Sequence, residues 1–437
     1  MWKSLRRWLA ERIGERRQPT VQHLPANAPS AGLSLDEPSD QMTDTRSDEH
    51  DSAAAAEDTA TPEHGPRGKR HKSGDRQYFG EEIWGVSTRH RSAVYDEARV
   101  RRFGLPKLRD ERALADWLGL SLPRLRWFTH DQPADKTWHY VRYVIPKRNG
   151  GQRVILAPKR ALKSLQRQVL AELVAKIPTA AAAHGFVQGR SITTNAGQHV
   201  GKRVVLGMDL KDFFPSITFQ RVRGVFIAHG YSFSVASALA LLCTEYDREP
   251  FDRNGEQFYI SIGQRHLVQG APTSPALANL VAWRLDRRLM GLAAKYAFSY
   301  TRYADDLTFS SENITAVGRL ITNIKQIVAD ERFELNEAKT RVARRARRQI
   351  VTGLVVNDQV STPRALRRRL RAILHNAQQS GLEPQQREQQ RGGAAYVRGL
   401  VAFVNAVNPR HAAPLRAALQ RVPGSSNPAP NDEPGAG

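Results

Sequence analysis

The feature that most constrains the fold is a pair of adjacent aspartates inside a stretch that otherwise has strand composition. Asp305 and Asp306 lie in TRYADDLTFS, residues 301–310, among the β-branched, aromatic and aliphatic residues that strands prefer. An Asp-Asp pair is typical of a β-turn, so the stretch predicts a hairpin joining a strand at 300–304 to one at 307–310. Carboxylates this close raise each other's pKa unless a metal ion neutralises them. The hairpin therefore predicts a divalent-cation site.

Two earlier stretches carry further candidate site residues. In VVLGMDLKDFFPSI, residues 204–217, the apolar start predicts a strand that ends in Asp209, and a strand end is a rigid, exposed place for a catalytic carboxylate. QGAPTSPALANLVAWRLD predicts a loop followed by a helix whose N-terminus would accept a phosphate or steady a template strand. An ordinary loop-to-helix cap is the alternative interpretation of the second stretch.

Charge and cysteine content narrow the class of protein. The net charge of +23 over 437 residues favours a polyanionic partner, because phosphate backbones are bound by neutralising Lys and Arg. The single cysteine, Cys243, excludes an internal disulfide and a Cys-based zinc cluster, and fits a reducing compartment. No stretch reaches the roughly eighteen apolar residues that cross a bilayer, and the N-terminus lacks a signal-peptide core. We therefore expect a cytoplasmic protein with no membrane partner.

Composition divides the chain into five segments. Residues 1–17 predict a basic amphipathic helix, either a contact surface or a plain solvated helix. Residues 18–80 predict a disordered linker, because few large apolar side chains offset the chain entropy. Helices and strands mix irregularly over 81–360, and 361–421 is helical. Residues 422–437 have the composition of a disordered tail.

Five stretches, in this order, resemble the motifs of reverse transcriptases. They are IPKRNGGQRVILAP for the fingers hairpin, DLKDFFPSI for the first palm motif, QGAPTSP for the template-side loop, YADD for the second palm motif, and ELNEAKT for the motif that follows. The resemblance implies an α/β (α+β) right-hand polymerase: fingers and a ferredoxin-like palm within 81–360, a helical thumb at 361–421, and a disordered N-terminal extension. It also implies an RNA-directed DNA polymerase that joins dNTPs with two Mg²⁺ ions.

The resemblance assigns roles to individual residues. The catalytic and metal-binding set would be Asp209, Asp305 and Asp306, with Lys339 as proton donor to the leaving pyrophosphate. The dNTP would contact Lys147, Arg153, Asp212, Phe213, Phe214 and Gln269. The template and primer would contact Gly270, Pro272, Ser274 and Tyr303. Phe214 matches the family's steric gate, an aromatic ring that crowds a ribonucleotide 2′-OH, although an ordinary core phenylalanine is the alternative.

Two more stretches resemble signatures of bacterial retron reverse transcriptases. GRSITTNAGQHV contains Asn195 and His199 in the spacing Asn-Ala-x-x-His, and QIVTGLVVND contains Val351, Thr352 and Gly353. We expect these residues to bind RNA. Their structural alternatives are a helix cap for Asn195, a satisfied surface histidine for His199, and a strand entering a turn for the Val-Thr-Gly sequence.

The retron resemblance implies partners as well as chemistry. A dedicated noncoding RNA would serve as template and primer, the primer being a 2′-OH, and the product would be a short branched RNA–DNA used in antiphage defence with an accessory effector protein. Arg364, Arg367, Arg368 and Arg371, on a helix with an apolar face, would track the RNA–DNA duplex, unless they form only a solvated charged face. A stand-alone group II intron-like or other bacterial reverse transcriptase, and an RNA-binding scaffold on an inactive polymerase fold, stay open as alternatives.

Overall fold

The computed structural model describes residues 93–129, 134–135, 138–146, 150–381 and 393–423. The predicted helix at 1–17, the linker at 18–80, most of the tail at 422–437 and the placement of Lys147 lie outside these residues. Among the described helices, none is long and apolar enough to cross a membrane.

The helices begin at polar capping residues or follow apolar spacing. For example, Asp110 accepts a hydrogen bond from the backbone amide of Ala113 at 2.8 Å at the start of a helix. The α-helices are α1 (Glu97–Arg102), α2 (Glu111–Trp117), α3 (Leu122–Phe128), α4 (Arg160–Glu172), α5 (Ile192–Gly197), α6 (Phe219–Ala228), α7 (Phe233–Cys243), α8 (Ser274–Val281), α9 (Trp283–Lys295), α10 (Val317–Asp330), α11 (Arg364–Ser380), α12 (Gly393–Val407) and α13 (Pro409–Gln420). Short 3-10 helices lie at Val174–Lys176 and Glu337–Lys339.

The strands form four antiparallel groups. They are β1 (Ala134–Asp135), β2 (Tyr140–Pro146), β3 (Gln152–Pro158), β4 (Val204–Asp209), β5 (Glu245–Arg253), β6 (Glu256–His266), β7 (Ser299–Tyr303), β8 (Asp306–Ser311), β9 (Arg341–Arg344), β10 (Ile350–Val351) and β11 (Leu354–Val355). The pairings are β2–β3, β10–β11, the three-stranded order β1-β6-β5, and the four-stranded order β7-β8-β4-β9.

The four-stranded sheet has ferredoxin-like topology. Helices separate β4 from β7 and β8 from β9, while β7 and β8 form a hairpin, which gives the β-α-β-β-α-β sequence of that fold. The strand order places β4 and β8 at the centre of the sheet, where both are paired on either side. The predicted ferredoxin-like palm is therefore confirmed.

The two faces of this palm sheet have different chemistry. Leu206 and Met208 of β4 belong to the main hydrophobic core, as do their cross-strand partners Phe309 and Leu307 of β8. Because side chains alternate along a strand, Asp209 lies on the opposite face from Met208. The carboxylates at the end of this sheet thus point away from the helices that fill the core.

The fingers and thumb show the predicted elements. Strands β2 and β3 pair from Tyr140 opposite Pro158 to Pro146 opposite Gln152, which confirms the fingers hairpin. Helices α11, α12 and α13 pack around a hydrophobic cluster of their own, to which α11 contributes Leu370, Ile373, Leu374 and Ala377. The predicted apolar face of that helix is confirmed, whereas the boundary between 360 and 361 stays a prediction.

Candidate active site

The two adjacent aspartates lie at the tip of the hairpin between β7 and β8. Tyr303 ends β7 and pairs with Asp306, the first residue of β8, so Ala304 and Asp305 form the turn. Ala304 has a positive φ of 56°, the left-handed conformation that tight hairpin turns require. The predicted hairpin is confirmed, with the turn starting one residue before the aspartate pair.

Strand β4 brings a third carboxylate to the same place. Asp209 is the last residue of β4 and lies directly opposite Asp306 in the register of the sheet. The next residue, Leu210, donates its backbone amide to the carbonyl oxygen of Asp305 at 2.9 Å. Asp209, Asp305 and Asp306 therefore meet at one end of the palm sheet, as the sequence predicts.

The 3-10 helix at Glu337–Lys339 adds a cation to this group. The backbone amide of Asn336 donates to the carbonyl oxygen of Asp209 at 2.8 Å, which fixes this segment beside the end of β4. The Nζ of Lys339 donates to both carboxylate oxygens of Asp209, at 2.9 and 3.0 Å. This hydrogen bond is the main cause that raises the pKa of Lys339, so the side chain is an ammonium at neutral pH.

The carboxyl groups of Asp305 and Asp306 both have raised pKa values. Burial, together with the charges of Asp305 and Asp209, raises the pKa of Asp306 to about 6. Burial is also the main cause that raises the pKa of Asp305, with Asp209 adding to it. A bound divalent cation would relieve this repulsion, and an all-oxygen donor set suits Mg²⁺.

The fit to a metal ion depends on additional ligands. Within the described residues no three His, Cys, Asp or Glu side chains are grouped closely enough to hold an ion by themselves. Mg²⁺ usually binds through one or two carboxylates and completes its octahedron with water and substrate phosphates. The carboxylates at the end of β4 and β8 therefore fit Mg²⁺ as part of a site that substrate completes.

The residues after β4 divide between the surface and the core. Phe214 is half-buried, whereas Phe213 is 4% exposed, with its ring centroid 5.8 Å from that of Phe333. The Phe213 side chain thus lies in the core. Asp212 is exposed, has a positive φ of 45°, and lines a surface depression together with Pro215.

The predicted template-side loop packs against the fingers hairpin. The carbonyl oxygen of Gln269 accepts the backbone amide of Leu156 at 2.8 Å. Gly270 has a φ of 118°, and a Cβ there would lie 2.7 Å from the carbonyl oxygen of Leu156, so this position requires glycine. Pro272 is half-buried, while Ser274 is 1% exposed and its hydroxyl has no hydrogen-bond partner. The loop thus joins fingers to palm.

Arg153 lies on the exposed face of β3, opposite Ile145. Although burial dominates the raised pKa of Asp305, the charge of Arg153 is among the influences that lower it. The fingers hairpin therefore presents a guanidinium within electrostatic range of the carboxylates. Lys147 lies outside the described residues.

The Asn-Ala-x-x-His signature is buried. The imidazole of His199 shares hydrogen bonds with the hydroxyls of Ser310 and Thr301, both at 2.7 Å, and burial lowers its pKa to about 3. The alternative of a satisfied surface histidine is therefore wrong in its placement, because the imidazole is satisfied but buried. Asn195 is fully buried without a hydrogen bond to either amide atom, and Ser191, not Asn195, caps α5.

The structure brings the second signature to the first. Thr352 and Gly353, with positive φ values of 46° and 83°, form the turn between β10 and β11, which confirms the strand-to-turn interpretation. The Thr352 hydroxyl donates to the carbonyl oxygen of Ile192 in α5 at 3.3 Å, and buried Val351 belongs to the same hydrophobic cluster as Ala196. Since Asn195 and His199 are covered, RNA binding stays a prediction for this junction's surface, with those two side chains supporting it from within.

The thumb arginines occupy one helix. Arg364, Arg368 and Arg371 are exposed on α11, and Arg367 is half-buried. Their spacing of three or four residues puts the exposed ones on one face. The arrangement suits a backbone-tracking surface, which stays a prediction.

A buried polar network that was not predicted from the sequence lies directly beneath the turn that carries Asp305. Arg302 is fully buried and donates to both carboxylate oxygens of Asp286, at 2.8 and 2.7 Å. It also donates to the carbonyl oxygen of Ala304 at 3.0 Å. The available signal was an arginine inside an apolar strand, since a buried charge requires a partner.

A ferredoxin-like palm with carboxylates at one end, a fingers hairpin and a helical thumb define the right-hand polymerase class. Residues 145–383 match the family described as "Reverse transcriptase (RNA-dependent DNA polymerase)". The chain is 50% identical over 333 residues to the retron Mx65 reverse transcriptase of Myxococcus xanthus, covering 76% of each chain. It is 41% identical to the retron Mx162 enzyme of the same organism, over 77% of this chain and 72% of that one.

A third relative, the retron Ec86 reverse transcriptase of Escherichia coli, is 33% identical over 65% of this chain and 84% of its own length. The chain belongs to the bacterial retron-type reverse transcriptases. It is an RNA-directed DNA polymerase, and the predicted enzyme class is confirmed.

Proposed function

We propose that this polymerase copies a dedicated structured noncoding RNA into a short single-stranded DNA that starts from a 2′-OH of the same RNA and stays joined to it. The observation that carries the proposal is the junction of the two retron signatures, where α5 packs on the β10–β11 hairpin. That cluster includes Val205 of the palm strand β4, and Phe403 of the thumb helix α12 packs against it. A structured RNA held on its surface would be presented to palm and thumb together.

In the active site, Asp209, Asp305 and Asp306 would hold two Mg²⁺ ions. Bound there, the ions would lower the pKa of the primer hydroxyl and neutralise the triphosphate. The protein supplies rigid placement, because Asp209 ends β4, Asp306 starts the adjacent strand β8, and Asp305 lies in the turn that connects β7 to β8. Lys339 carries a proton at neutral pH and would donate it to the departing pyrophosphate.

Substrate selection would rest on three elements around these carboxylates. The half-buried ring of Phe214 leaves one face for the sugar of the incoming nucleotide and would exclude a 2′-OH. Arg153, assisted by Lys147, would bind the triphosphate with forked donors. The loop at Gln269 and Gly270, packed on β3, would form the wall that steadies the template.

The remaining parts of the proposal concern binding of the RNA–DNA duplex and the role of the enzyme in the cell. The exposed arginines of α11 would follow the RNA–DNA duplex through its phosphates, which dominate recognition of such a duplex. The product and the enzyme would act in antiphage defence in the bacterial cytoplasm, together with an accessory effector protein. The names of these three relatives, all retron reverse transcriptases, support the retron part of the proposal.

The test is to express the gene with its native upstream region and extract nucleic acid from the cells. We expect an abundant short DNA whose gel mobility changes with RNase and with a 2′–5′ debranching enzyme. The double variant Asp305→Asn, Asp306→Asn should lack it. If the purified enzyme copied an added RNA but cells held only unbranched DNA or none, the self-primed retron product would be excluded, and a general bacterial reverse transcriptase would remain.

A further inference from the structure

The loop between the 3-10 helix at Val174–Lys176 and α5 is fastened to the catalytic hairpin. Arg190 donates from one nitrogen to the carbonyl oxygens of Ala180, Ala181 and Ala183, which holds the loop in a compact shape. The backbone amide of His184 then donates to the carbonyl oxygen of Arg302 in β7 at 2.7 Å. The loop thus continues along the edge of the palm sheet toward the turn that carries Asp305.

Gly185 makes the closest approach to that turn. A Cβ at this position would lie 2.6 Å from the backbone nitrogen of Ala304, so only glycine allows the loop to lie on the turn. The carbonyl oxygen of Gly185 accepts a hydrogen bond from the Nδ2 of Asn279 at 2.9 Å. The Oδ1 of Asn279 accepts one from Arg302 at 3.0 Å.

The same buried side chains therefore fix two strained positions. Arg302 holds the carbonyl oxygen of Ala304 directly and holds the carbonyl oxygen of Gly185 through Asn279. Ala304 has a φ of 56°, and Phe186, the residue after Gly185, has a φ of 60°. Non-glycine residues in this conformation persist only where their surroundings hold them, and they cluster at functional sites.

Phe186 presents its ring to solvent at this position. The residue is 51% exposed, and its ring centroid lies 6.3 Å from that of Phe214 and 6.4 Å from that of Tyr303. Burial gives such a ring little stability, and its backbone conformation costs stability. Its placement therefore calls for a contact made when substrate is present.

We propose that Phe186 is a substrate-contacting residue whose ring packs against the primer-terminal nucleoside, positioned by the Arg302–Asn279 network that also holds the catalytic turn. The proposal rests on the active-site assignment above. Phe214 would contact the sugar of the incoming nucleotide, and Tyr303 adjoins the turn where the primer hydroxyl is activated. The Phe186 ring contacts both Phe214 and Tyr303, so it lies between the sugar of the incoming nucleotide and the site where the primer hydroxyl is activated. The end of the primer must lie in the same place.

The chemistry of the ring suits this occupant. A phenyl group has no hydrogen-bond donor or acceptor, so it cannot discriminate among bases by their edges. Every base has an apolar face that stacks on an aromatic ring, and such contacts tolerate any sequence. A polymerase whose primer end changes identity at every step requires a contact of this kind.

A cycle of enzyme and primer changes tests the contact. Phe186→Asn removes the ring and accepts a positive φ, whereas Phe186→Tyr keeps an aromatic ring. Ala297→Asn is the matched control, because Ala297 is also exposed, with a φ of 59°, and lies outside the proposed site. Each full-length protein extends an RNA-templated primer that ends in a normal nucleotide or in an abasic sugar, and kcat/KM is measured for the primer–template.

We expect Phe186→Asn to lower kcat/KM roughly 5- to 100-fold with the normal primer, the range of one lost base–aromatic stack. With the abasic primer the variant and the unchanged enzyme should agree within about twofold, because the base that the ring would contact is already absent. Phe186→Tyr and Ala297→Asn should behave as the unchanged enzyme with both primers. Unchanged thermal unfolding of Phe186→Asn would show that the effect is local.

Three results would overturn the contact. They are an equal loss with both primers, no loss with either, and a loss confined to the KM for dNTP, which would place the ring against the incoming nucleotide instead. The active-site assignment is tested separately by Asp305→Asn. If that variant kept full activity, the assignment would fail whatever the primer series showed.

Discussion

The chain contains two hairpins at its active site, and they are built differently. In the palm hairpin β7–β8, buried Arg302 holds the turn and Leu210 holds the carbonyl oxygen of Asp305. In the fingers hairpin β2–β3, all of β2 after Tyr140 is exposed, and Tyr143 and Ile145 are 52% and 50% exposed. The rest of the fold thus encloses the palm hairpin up to its tip, whereas the fingers hairpin carries apolar side chains that are exposed to solvent.

The difference follows the tasks that we propose for them. Carboxylates that share metal ions must be placed to within a fraction of an ångström, which rigid strands with supporting hydrogen bonds achieve. A hairpin that binds and releases a nucleotide at each step has to move, and a segment with few buried contacts moves readily. Exposed apolar side chains that line such a segment mark a surface that substrate covers.

A test of the site at the palm hairpin removes Lys339, the proposed proton donor. Lys339→Met should lower the rate of single-turnover nucleotide addition roughly 100-fold or more, the usual contribution of a general acid. Lys339→Arg should also be slow, because arginine keeps the charge without giving up its proton. Lys325→Met, which removes an exposed lysine paired with Glu337 at 2.7 Å, should leave the rate unchanged. A normal rate for Lys339→Met would exclude the assigned role.

The supporting network predicts a large effect on stability. Arg302→Met should lower the free energy of unfolding by about 3–5 kcal/mol, because it leaves the charge of Asp286 buried without its cationic partner. Replacing both, as Arg302→Met with Asp286→Leu, should recover much of that stability in urea denaturation. Nucleotide addition should stay slow in the double variant, since Ala304 still lacks its hydrogen bond.

Urea denaturation of a variant in the fingers hairpin tests whether the two hairpins differ in stability. Arg153→Met, on an exposed strand, should change the free energy of unfolding by less than about 0.5 kcal/mol while raising the KM for dNTP. If Arg153→Met destabilised the protein as much as Arg302→Met, the two hairpins would not differ as described.

The buried histidine of the retron signature predicts a dependence of stability on pH. The pKa of His199 is about 3 in the folded protein against 6.5 ordinarily, because burial disfavours its charge and the nearby charges of His184 and Lys202 add to this. The unfolded chain therefore binds the extra proton, and stability is complete above pH 6.5 and falls as the pH drops toward 3. The loss from this residue should reach about 2 kcal/mol at pH 5.

Urea denaturation at pH 7 and pH 5 measures that loss. His199→Asn keeps hydrogen-bonding capacity without a titrating group, so its stability should fall less between the two pH values. An identical fall in both proteins would show that His199 contributes nothing to the acid sensitivity.

The smallest predicted effect concerns the choice of sugar. Phe214→Ala should raise incorporation of ribonucleotides relative to deoxyribonucleotides by about tenfold or more, the size of a single steric contact in a pocket. Phe213→Leu, in the core beside it, should reduce stability without changing this ratio. If Phe214→Ala left the ratio unchanged, the gate assignment would be wrong.

The parts of the fold that sequence predicted are those with local signals. The apolar run that ends in Asp209, the turn composition at Asp305 and the apolar spacing of α11 each reflect contacts between near neighbours. The hairpin β5–β6 was missed although Asn254-Gly255, with both φ values positive, is a strong turn signal between two extended runs.

The rest depends on contacts between distant parts of the chain. Nothing near Arg302 in the sequence indicates that Asn279 and Gly185 complete its network. Likewise, the burial of His199 arises from hydroxyls more than a hundred positions away. Tertiary packing determines the burial and hydrogen bonds of such residues. The motif matches therefore identified the segments but not the orientation of their side chains.

We propose above all that the carboxylates at the tip of the palm hairpin catalyse nucleotide addition. The direct test is extension of an RNA-templated primer by purified Asp305→Asn, Asp306→Asn, compared with Glu312→Gln, which changes an exposed acid just beyond the other end of β8. We expect no measurable dNTP incorporation by the first protein at any Mg²⁺ concentration, and full activity of the second. Sustained incorporation by the double variant, folded as judged by thermal unfolding, would contradict it.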